Sequence, residues 1–336
     1  MKNFLLILAL AFTVLTSCNK DEVTLEPIFG SWRVQLNTLD DVQYLYFSDD
    51  NTFYMYRIKD GFKAIDRFEL ISVTDTSFSF SGGGLMEINY TINDNQLILD
   101  GIFSDGDIVR DDSFNPNDWV THLQATTSFQ LPAGVSESDP CFFPDYTPDQ
   151  DVFFYADGYG NDKLYMLSTT GTVLNSVNIT TSCRTAEGTP VGLAVSDNGS
   201  PKIFLMDETT GSIIDSSPDM GAWIEGIGYD DATSSFYCVS NNEQKVYKFV
   251  GTTLTVTEIG DISFGPSGLH FYNDHLYITS YNLIYEISLP AFTVVGTYAV
   301  DLENESLAGI TRDRNNFWVA TYNYESNKAY MRQISL

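Results

Sequence analysis

The chain has 336 residues, of which 45 are acidic and 17 are Lys or Arg, so its formal net charge is −28 at pH 7. The electrostatic field of this charge repels nucleic acids and anionic lipid surfaces, which excludes both as direct partners. The same field favours cationic ligands or Ca²⁺. The alternative is that the acidity only keeps the surface soluble. The length leaves room for two domains.

The N-terminal segment has the features of an export signal. Lys2 precedes an apolar run from Phe4 to Leu15, which is shorter than the roughly 20 apolar residues of a transmembrane helix. Instead of a small-x-small cleavage site, the run ends in Leu-Thr-Ser-Cys at Cys18, which resembles the lipobox of bacterial lipoproteins. The resemblance implies a signal peptide over residues 1–17, a lipidated Cys18 and a tether over 18–25. The alternative is an ordinary signal peptide with an incidental cysteine.

The residues after Cys18 predict where such a lipoprotein is sorted. Asn19 stands where many inner-membrane lipoproteins of Gram-negative bacteria have Asp. A Lys followed by two acidic residues, at 20–22, resembles the tether of lipoproteins on the outer face of the outer membrane, although any solvated linker has a similar composition. We expect an outer-membrane protein that faces outward and touches the membrane only through its acyl chains.

Residues 26–106 predict a small antiparallel β-barrel. Short alternating runs rich in aromatic and β-branched residues are separated by hairpin turns of Asp, Asn and Gly. The opening Gly30-Ser31-Trp32 and the stretch 46–53 resemble the lipocalin-like domains of bacterial lipoproteins, in which the indole of a Gly-x-Trp motif closes one barrel end. Such a barrel holds an apolar ligand or is filled by its own side chains. The candidates for filling it are Phe47, Phe53, Met55, Phe68 and Leu70.

An acidic linker over residues 107–124 leads to a segment, 125–336, that repeats itself. A glycine opens one strand of each repeat, and a strand with a tyrosine follows later. The repeat glycines are Gly192, Gly226, Gly268 and Gly309. Repeats of about 40–45 residues with four strands each predict a β-propeller. We count five blades, or six if residues 132–150 hide a degenerate one, and expect 127–131 to supply the last blade's missing strand.

The repeat pattern resembles the NHL and SMP-30/gluconolactonase-like propellers, because the sequence has none of the Gly-His and Trp-Asp pairs of WD40 repeats. The expected fold class is therefore all-β, with a small lipocalin-like barrel followed by a β-propeller. Propellers host enzymes, ligand binders and scaffolds alike, so the resemblance predicts the fold better than the activity.

The cysteines other than Cys18 predict one disulfide. Export would place them in an oxidising compartment, where a pair and one leftover thiol are expected. Cys141 and Cys183 lie in turn-rich sequence, whereas Cys238 lies inside an apolar strand. We therefore expect a Cys141–Cys183 disulfide and a buried thiol at Cys238.

The sequence contains no familiar catalytic motif. Gly-x-Ser-x-Gly, His-Glu-x-x-His, Cys-x-x-Cys and Walker sequences are all missing. The three histidines, His122, His270 and His275, are scattered over the linker and the repeats. A histidine-based metal site or catalytic triad is therefore not expected, and His270 is interpreted as a structural residue between blades.

The candidate binding residues lie in the loops that lead into the innermost propeller strands, where propellers usually bind ligands. These loops carry Asp139, Glu187, Trp223, Glu225, Asn304 and Glu305. Trp223 could stack on a sugar or a peptide. Glu225-Gly226 resembles the strand-opening Glu-Gly of gluconolactonase-like propellers, which implies one divalent ion there, and Ca²⁺ suits an all-oxygen site. The alternative is that these acidic residues are solvated turn formers.

These features favour a cell-envelope lipoprotein that binds a glycan, peptide or protein through the propeller loops and is not an enzyme. One alternative is a metal-dependent lactonase- or esterase-type hydrolase centred on Glu225. A second alternative is a carrier of a small apolar ligand in the N-terminal barrel. The sequence does not identify the ligand, the membrane leaflet or the oligomeric state.

Overall fold

A computed structural model of the protein describes residues 28–34, 42–81, 84–100, 108–147, 150–158, 161–250, 256–302 and 304–336. The predicted signal peptide, Cys18 and the tether lie outside these residues. The described part is almost entirely β-strand, and no helix in it is long and apolar enough to cross a membrane. The chain divides into two compact units. Of the described residues, the first contains those within 28–34, 45–54 and 67–111, and the second contains those within 42–44, 55–66 and 112–336.

The N-terminal strands form a closed eight-stranded barrel in which sequential strands are neighbours. Its strands are β1 (Gly30–Val34), β2 (Val42–Ser48), β3 (Thr52–Lys59), β4 (Phe62–Val73), β5 (Ser77–Ser81), β6 (Leu85–Asn93), β7 (Gln96–Leu99) and β8 (Ile108–Arg110). Antiparallel pairing of β1 with β8, with Trp32 opposite Arg110, closes the barrel. The buried Trp32 indole donates to the carbonyl of Ile28 at 2.7 Å, and Arg110 lies over its ring.

The barrel interior is occupied by phenylalanine rings. Phe47 stacks on Phe53 with ring centroids 4.6 Å apart, and Phe53 also meets Phe78 and Phe80 at 5.6 and 5.5 Å. Phe68 packs edge-on against Phe80. The alternating strand pattern places these rings on one face of each strand, and closing the sheet brings that face inward. The barrel thus has a core of its own side chains.

The second unit contains a propeller of five blades with four strands each. Blade 1 consists of β11 (Cys141–Thr147), β12 (Gln150–Asp157), β13 (Lys163–Ser168) and β14 (Val173–Asn178). Blade 2 consists of β15 (Ala186–Thr189), β16 (Gly192–Ser196), β17 (Ile203–Met206) and β18 (Ile213–Ser216). Blade 3 consists of β19 (Ile224–Asp230), β20 (Ser235–Ser240), β21 (Lys245–Val250) and β22 (Thr257–Asp261).

The last two blades use strands from before blade 1. Blade 4 consists of β23 (Gly268–Tyr272), β24 (His275–Ser280), β25 (Leu283–Ser288) and β26 (Thr293–Val300), and it is extended by the parallel strand β9 (Thr121–Leu123). Blade 5 consists of β27 (Ser306–Arg312), β28 (Phe317–Asn323), β29 (Lys328–Ile334) and β10 (Thr127–Gln130). The antiparallel pairing of β10 with β29 covers an outer edge that would otherwise be open.

The repeat register differs from the prediction in blade 2. Gly192 opens β16, which is the second strand of its blade, and not the innermost strand. The innermost strand is β15, where Ala186 lies opposite Val195 just as Gly226 lies opposite Val239. Two separate constraints select glycine. At Gly226 a side chain would meet the backbone of Leu269 in the next inner strand, whereas at Gly192, with φ +135°, it would meet the carbonyl of Met206. The sequence pattern could not separate these two reasons.

The predicted Cys141–Cys183 disulfide is not formed in this structure. Both side chains are buried free thiols in the apolar core between blades 1 and 2. Cys141 lies in the inner strand opposite Phe154, and the Cys183 sulfur lies 2.8 Å from the Thr181 hydroxyl. Cys183 lies in a loop and Cys141 opens a strand, so the turn-rich sequence around both residues did not specify a sulfur–sulfur bond. Cys238 is a buried free thiol, as expected.

Candidate functional site

The five inner strands β11, β15, β19, β23 and β27 contact one another around the propeller axis. Strands within a blade are antiparallel, so the loops before the inner strands emerge at the same end as the turns between second and third strands. We call this end the entry face. Of the residues that the sequence analysis selected, four precede inner strands at this face, namely Asp139, Trp223, Asn304 and Glu305. Glu187 and Glu225, which were also expected in these loops, lie within the inner strands β15 and β19.

Asp139 lies at the centre of this face but is completely buried. One carboxylate oxygen accepts a hydrogen bond from the backbone N–H of Ile310 at 2.7 Å. The other accepts from the backbone N–H of Leu269 and from the Thr185 hydroxyl, both at 3.1 Å. Asp139 therefore joins the inner edges of blades 2, 4 and 5. Burial raises the pKa of this carboxyl well above its ordinary value, although the two backbone N–H groups oppose the shift.

Glu187 forms a second link between blades. It is 8% exposed, it accepts a hydrogen bond from the backbone of Tyr229 in blade 3, and its Oε2 lies 3.9 Å from Nδ1 of His270 in blade 4. At that distance the imidazole and the carboxylate interact electrostatically without a hydrogen bond. Burial raises the pKa of Glu187. His270 thus lies between blades, as the sequence indicated, and faces an acid that the sequence could not pair with it.

Glu225, the candidate metal ligand, is paired with an arginine. Its Oε2 lies 2.6 Å from Nε of Arg184, and an Nη of the same guanidinium lies 3.4 Å from Glu137. Burial raises the pKa of Glu225, and the Arg184 charge opposes that shift. Within the described residues, no group of three or more His, Cys, Asp or Glu side chains is arranged to hold a metal ion. The donor set at Glu225 therefore does not fit the divalent ion that the gluconolactonase-like resemblance implies.

Glu305 is also held within the propeller. Both of its oxygens accept hydrogen bonds from Arg332, at 2.8 and 2.6 Å, and one accepts from Thr321 at 2.6 Å. The neighbouring Asn304 makes a long contact of 3.5 Å with Glu325. The bidentate pair joins the start of blade 5 to its third strand, so this carboxylate supports the face and has few oxygen lone pairs left for a ligand.

The entry face contains three exposed aromatic side chains. Trp223 is 37% exposed, Tyr324 59% and Tyr281 76%, and these are the exposed aromatic residues among those the structure describes. Trp223 precedes the inner strand of blade 3, whereas Tyr281 and Tyr324 occupy the turns after the second strands of blades 4 and 5. All three thus lie on adjacent blades of one face.

Sequence reasoning selected Trp223 and missed the two tyrosines. Ser280-Tyr281-Asn282 and Asn323-Tyr324-Glu325 each place an aromatic residue where a polar turn former is expected. Tyr281 even adopts φ +53°, a conformation that costs a bulky residue energy and that often occurs at functional sites. By contrast, Phe264, another aromatic near this face, is buried and stacked on Tyr285 at 4.0 Å.

Tyr324 connects the aromatic residues to the charged ones. Its hydroxyl donates to Glu137 at 2.6 Å, and its ring packs edge-on against Tyr322. Glu137 in turn faces Arg184, which pairs with Glu225 two residues after Trp223. The entry face therefore combines exposed rings with a fixed network of two carboxylates and one guanidinium.

Comparisons with known proteins support the fold alone. No family model and no curated protein matches the sequence. Among solved structures, the glutaminyl cyclase of Myxococcus xanthus superposes with a TM-score of 0.51 at 10% identity, over 64% of this chain and 98% of the cyclase. Sqt1 of Saccharomyces cerevisiae superposes with a TM-score of 0.35 at 12% identity, over 87% of this chain and 81% of its own. The chain is thus similar to a bacterial β-propeller in architecture, and the resemblances to lipoproteins and to NHL or SMP-30 propellers stay predictions.

Proposed function

We propose that the protein is an exported lipoprotein, anchored through acyl chains on Cys18, whose propeller binds a soluble partner on the entry face. One observation carries the binding role, namely that all exposed aromatic side chains of the described residues lie on this face. Exposed aromatic residues tend to concentrate where a protein contacts ligands, because they supply large, rigid contact area at little entropic cost.

The carboxylates of the face support a binding role over a catalytic one. Asp139 accepts hydrogen bonds from backbone N–H groups, and Glu305 accepts them from a guanidinium. Glu187 accepts from the backbone of Tyr229, and Glu225 forms an ion pair with Arg184. Their contacts hold the inner strands and loops in place, and a rigid frame lowers the conformational cost of presenting the rings to a partner. The three rings are large groups of this face that remain open to a ligand.

Binding can be tested with the soluble fragment 19–336 on glycan and peptide arrays. We expect a hit whose affinity falls at least fivefold in Trp223→Ala or Tyr324→Ala, since exposed anchors of this kind contribute about 1 kcal/mol or more. Val191→Ala is the matched control, because Val191 is 67% exposed in the turn between β15 and β16 at the opposite end of the propeller. Equal losses of affinity in Trp223→Ala, Tyr324→Ala and Val191→Ala would contradict the assignment of the binding site to the entry face.

The anchor needs a separate experiment. The full chain, expressed in a Gram-negative bacterium with radiolabelled palmitate, should incorporate label and sediment with the outer membrane. Cys18→Ser should lose both properties, because the thiol is the only acceptor of the diacylglyceryl group. Cys238→Ser serves as the control, since that thiol is buried. Unlabelled full chain would overturn the lipoprotein assignment without affecting the binding role.

A further inference from the structure

The partner's chemistry follows from the groups around the exposed rings. Resting on the proposed binding role, we infer that the entry face recognises a cationic segment of a peptide or protein, with Lys or Arg side chains over Trp223, Tyr281 and Tyr324. A neutral oligosaccharide is the competing ligand, because sugars also stack on aromatic rings.

The charge of the network beside the rings favours a cation. Two carboxylates, Glu137 and Glu225, share the single guanidinium of Arg184, which leaves one negative charge in excess. Glu137 is the more accessible of the two, with a side chain that is 31% exposed against 12% for Glu225. A cation on the Tyr324 ring would therefore lie near a carboxylate that is partly open to solvent.

Hydrogen bonding fixes the ring of Tyr324 in place. Its phenol donates to Glu137 at 2.6 Å. Burial and this hydrogen bond raise the pKa of Tyr324 well above its ordinary value, so the hydroxyl stays a donor at physiological pH. A neutral phenol with its oxygen on a carboxylate keeps an electron-rich face, which is the surface that attracts ammonium and guanidinium groups.

Elsewhere the protein already places cations on its tyrosines. Arg312 lies 3.9 Å from the centroid of Tyr272, and Lys248 lies 5.0 Å from that of Tyr237. Within the part of the chain that the structure describes, no Lys or Arg occupies the corresponding position over Trp223, Tyr281 or Tyr324. The rings of the entry face are thus open to a cation supplied by a partner.

The net charge of the whole chain agrees with this choice. At −28, the field accelerates the approach of a basic partner and slows that of an acidic one. A neutral glycan would gain nothing from this field. The combination of open rings, an excess carboxylate and long-range attraction therefore favours a basic peptide over a sugar.

The test uses fragment 19–336 and a fluorescein-labelled peptide of alternating Lys and Ser, with its fully Nζ-acetylated form as the neutral match. Acetylation removes the ammonium charges while keeping the peptide length. We expect the unmodified peptide to bind at least tenfold more tightly, with an affinity that falls as NaCl rises from about 50 to about 300 mM. Equal affinity for the two peptides would overturn the inference.

Two sets of variants with matched controls separate recognition from general attraction to an acidic protein. Tyr281→Ala and Tyr324→Ala leave the net charge unchanged, so a loss of about fivefold or more in either, with none in Val191→Ala, indicates ring contact. Glu137→Gln and Asp215→Asn each remove one negative charge, and Asp215 lies exposed on the outer strand β18. Glu137→Gln should weaken binding more, whereas equal effects would indicate unspecific attraction and overturn the inference.

The outcomes distinguish this inference from the proposed function. If a neutral oligosaccharide binds and Trp223→Ala abolishes that binding, the entry face is a binding site but its ligand is not cationic. If the Lys peptide binds equally well to every aromatic variant, and no array ligand depends on Trp223, the binding role of the face itself fails.

Discussion

Asp139 illustrates how one buried side chain can organise a whole propeller. Its carboxylate accepts hydrogen bonds from blades 2, 4 and 5, and it lies so close to Gly268 and Gly309 that a side chain on either would collide with it. A buried carboxyl group at such a position is stable only while its hydrogen-bond donors are present. These contacts give Asp139 a structural role at the centre of the propeller, and the ligand-binding role that the sequence suggested for it stays a prediction.

Replacing Asp139 should therefore destabilise the propeller. In Asp139→Asn an amide N–H₂ faces a backbone N–H, so one buried hydrogen bond is replaced by a donor–donor contact. We expect the free energy of unfolding to fall by about 2–3 kcal/mol, measured by urea denaturation. Asp215→Asn, on an exposed strand, should change it by less than about 0.5 kcal/mol. If Asp139→Asn has the same free energy of unfolding as the wild type, the carboxylate contributes nothing to stability.

Glu187 predicts an unusual pH dependence. Its pKa is raised in the folded protein, so folding favours its protonated form, as it does for Asp139. Its stabilising contribution is fully present below the unfolded pKa, about 4.3 for a Glu, and is lost as the pH rises through the folded value. The melting temperature should therefore rise as the pH falls from neutrality towards that range.

The variant that tests this origin is Glu187→Gln, which cannot titrate. Its melting temperature should change less between neutral and mildly acidic pH than that of the wild type. Glu243→Gln removes an exposed acid and should keep the wild-type slope. If both variants retain that slope, the pH dependence comes from other acids of the chain, such as the buried Asp139, and not from Glu187.

At the level of elements, the propeller depends on strands that are far apart in sequence. β10 completes blade 5 by pairing with β29, and Phe129 at its centre packs near Trp318, at 5.7 Å between ring centroids. A side chain at Gly171, in the turn between β13 and β14, would collide with the Phe129 ring. The ring thus connects the closing strand to blades 5 and 1, and the turn glycine makes room for it.

Phe129→Ala should weaken the closure of the propeller. Removing a partly buried ring costs the transfer energy of its carbons and leaves a cavity, so we expect a loss of about 2 kcal/mol. Differential scanning calorimetry of fragment 19–336 would measure it. Ser128→Ala, at an exposed position on the same strand, should leave the free energy of unfolding nearly unchanged. A similar loss in both variants would indicate a general weakness of β10 and not a contribution of the ring.

At the scale of the whole molecule, the dominant property is the net charge of −28. Among the described residues, more than half of the acidic side chains are exposed, and the buried ones near the entry face contact protein hydrogen-bond donors or an arginine. Divalent cations should therefore interact with this protein as a diffuse counter-ion atmosphere, because the carboxylates available to them are spread over the surface.

This view predicts the outcome of a thermal melt in Ca²⁺ and Mg²⁺. Both ions should raise the melting temperature to a similar, shallow extent that NaCl of equal ionic strength largely reproduces. The reason is that Glu225 is already paired with Arg184. A saturable rise specific to Ca²⁺ and lost in Glu225→Gln would contradict this prediction and would restore the metal-dependent hydrolase as a candidate.

The fold class could be read from local patterns. Alternating strands, hairpin turns and a glycine-marked repeat predicted a barrel followed by a five-bladed propeller, and both are present. These signals are local because side-chain alternation and turn residues act over a few positions of the chain. The register of blade 2 was wrong, since Gly192 and Gly226 are glycines for different steric reasons that only the packed backbone reveals.

The candidate site could be located from the sequence but not interpreted. The loops before the inner strands were identified, with Trp223 as their exposed ring. Which carboxylates face solvent and which are buried depends on partners more than a hundred residues away, such as Leu269 and Ile310 for Asp139. Hydrogen bonds across the propeller axis have no local sequence signature. The sequence by itself therefore determined the architecture and the acidity of this protein. Only the tertiary structure decided that the acids selected near the entry face support its frame and that three aromatic rings are exposed on it, because both depend on contacts between distant blades.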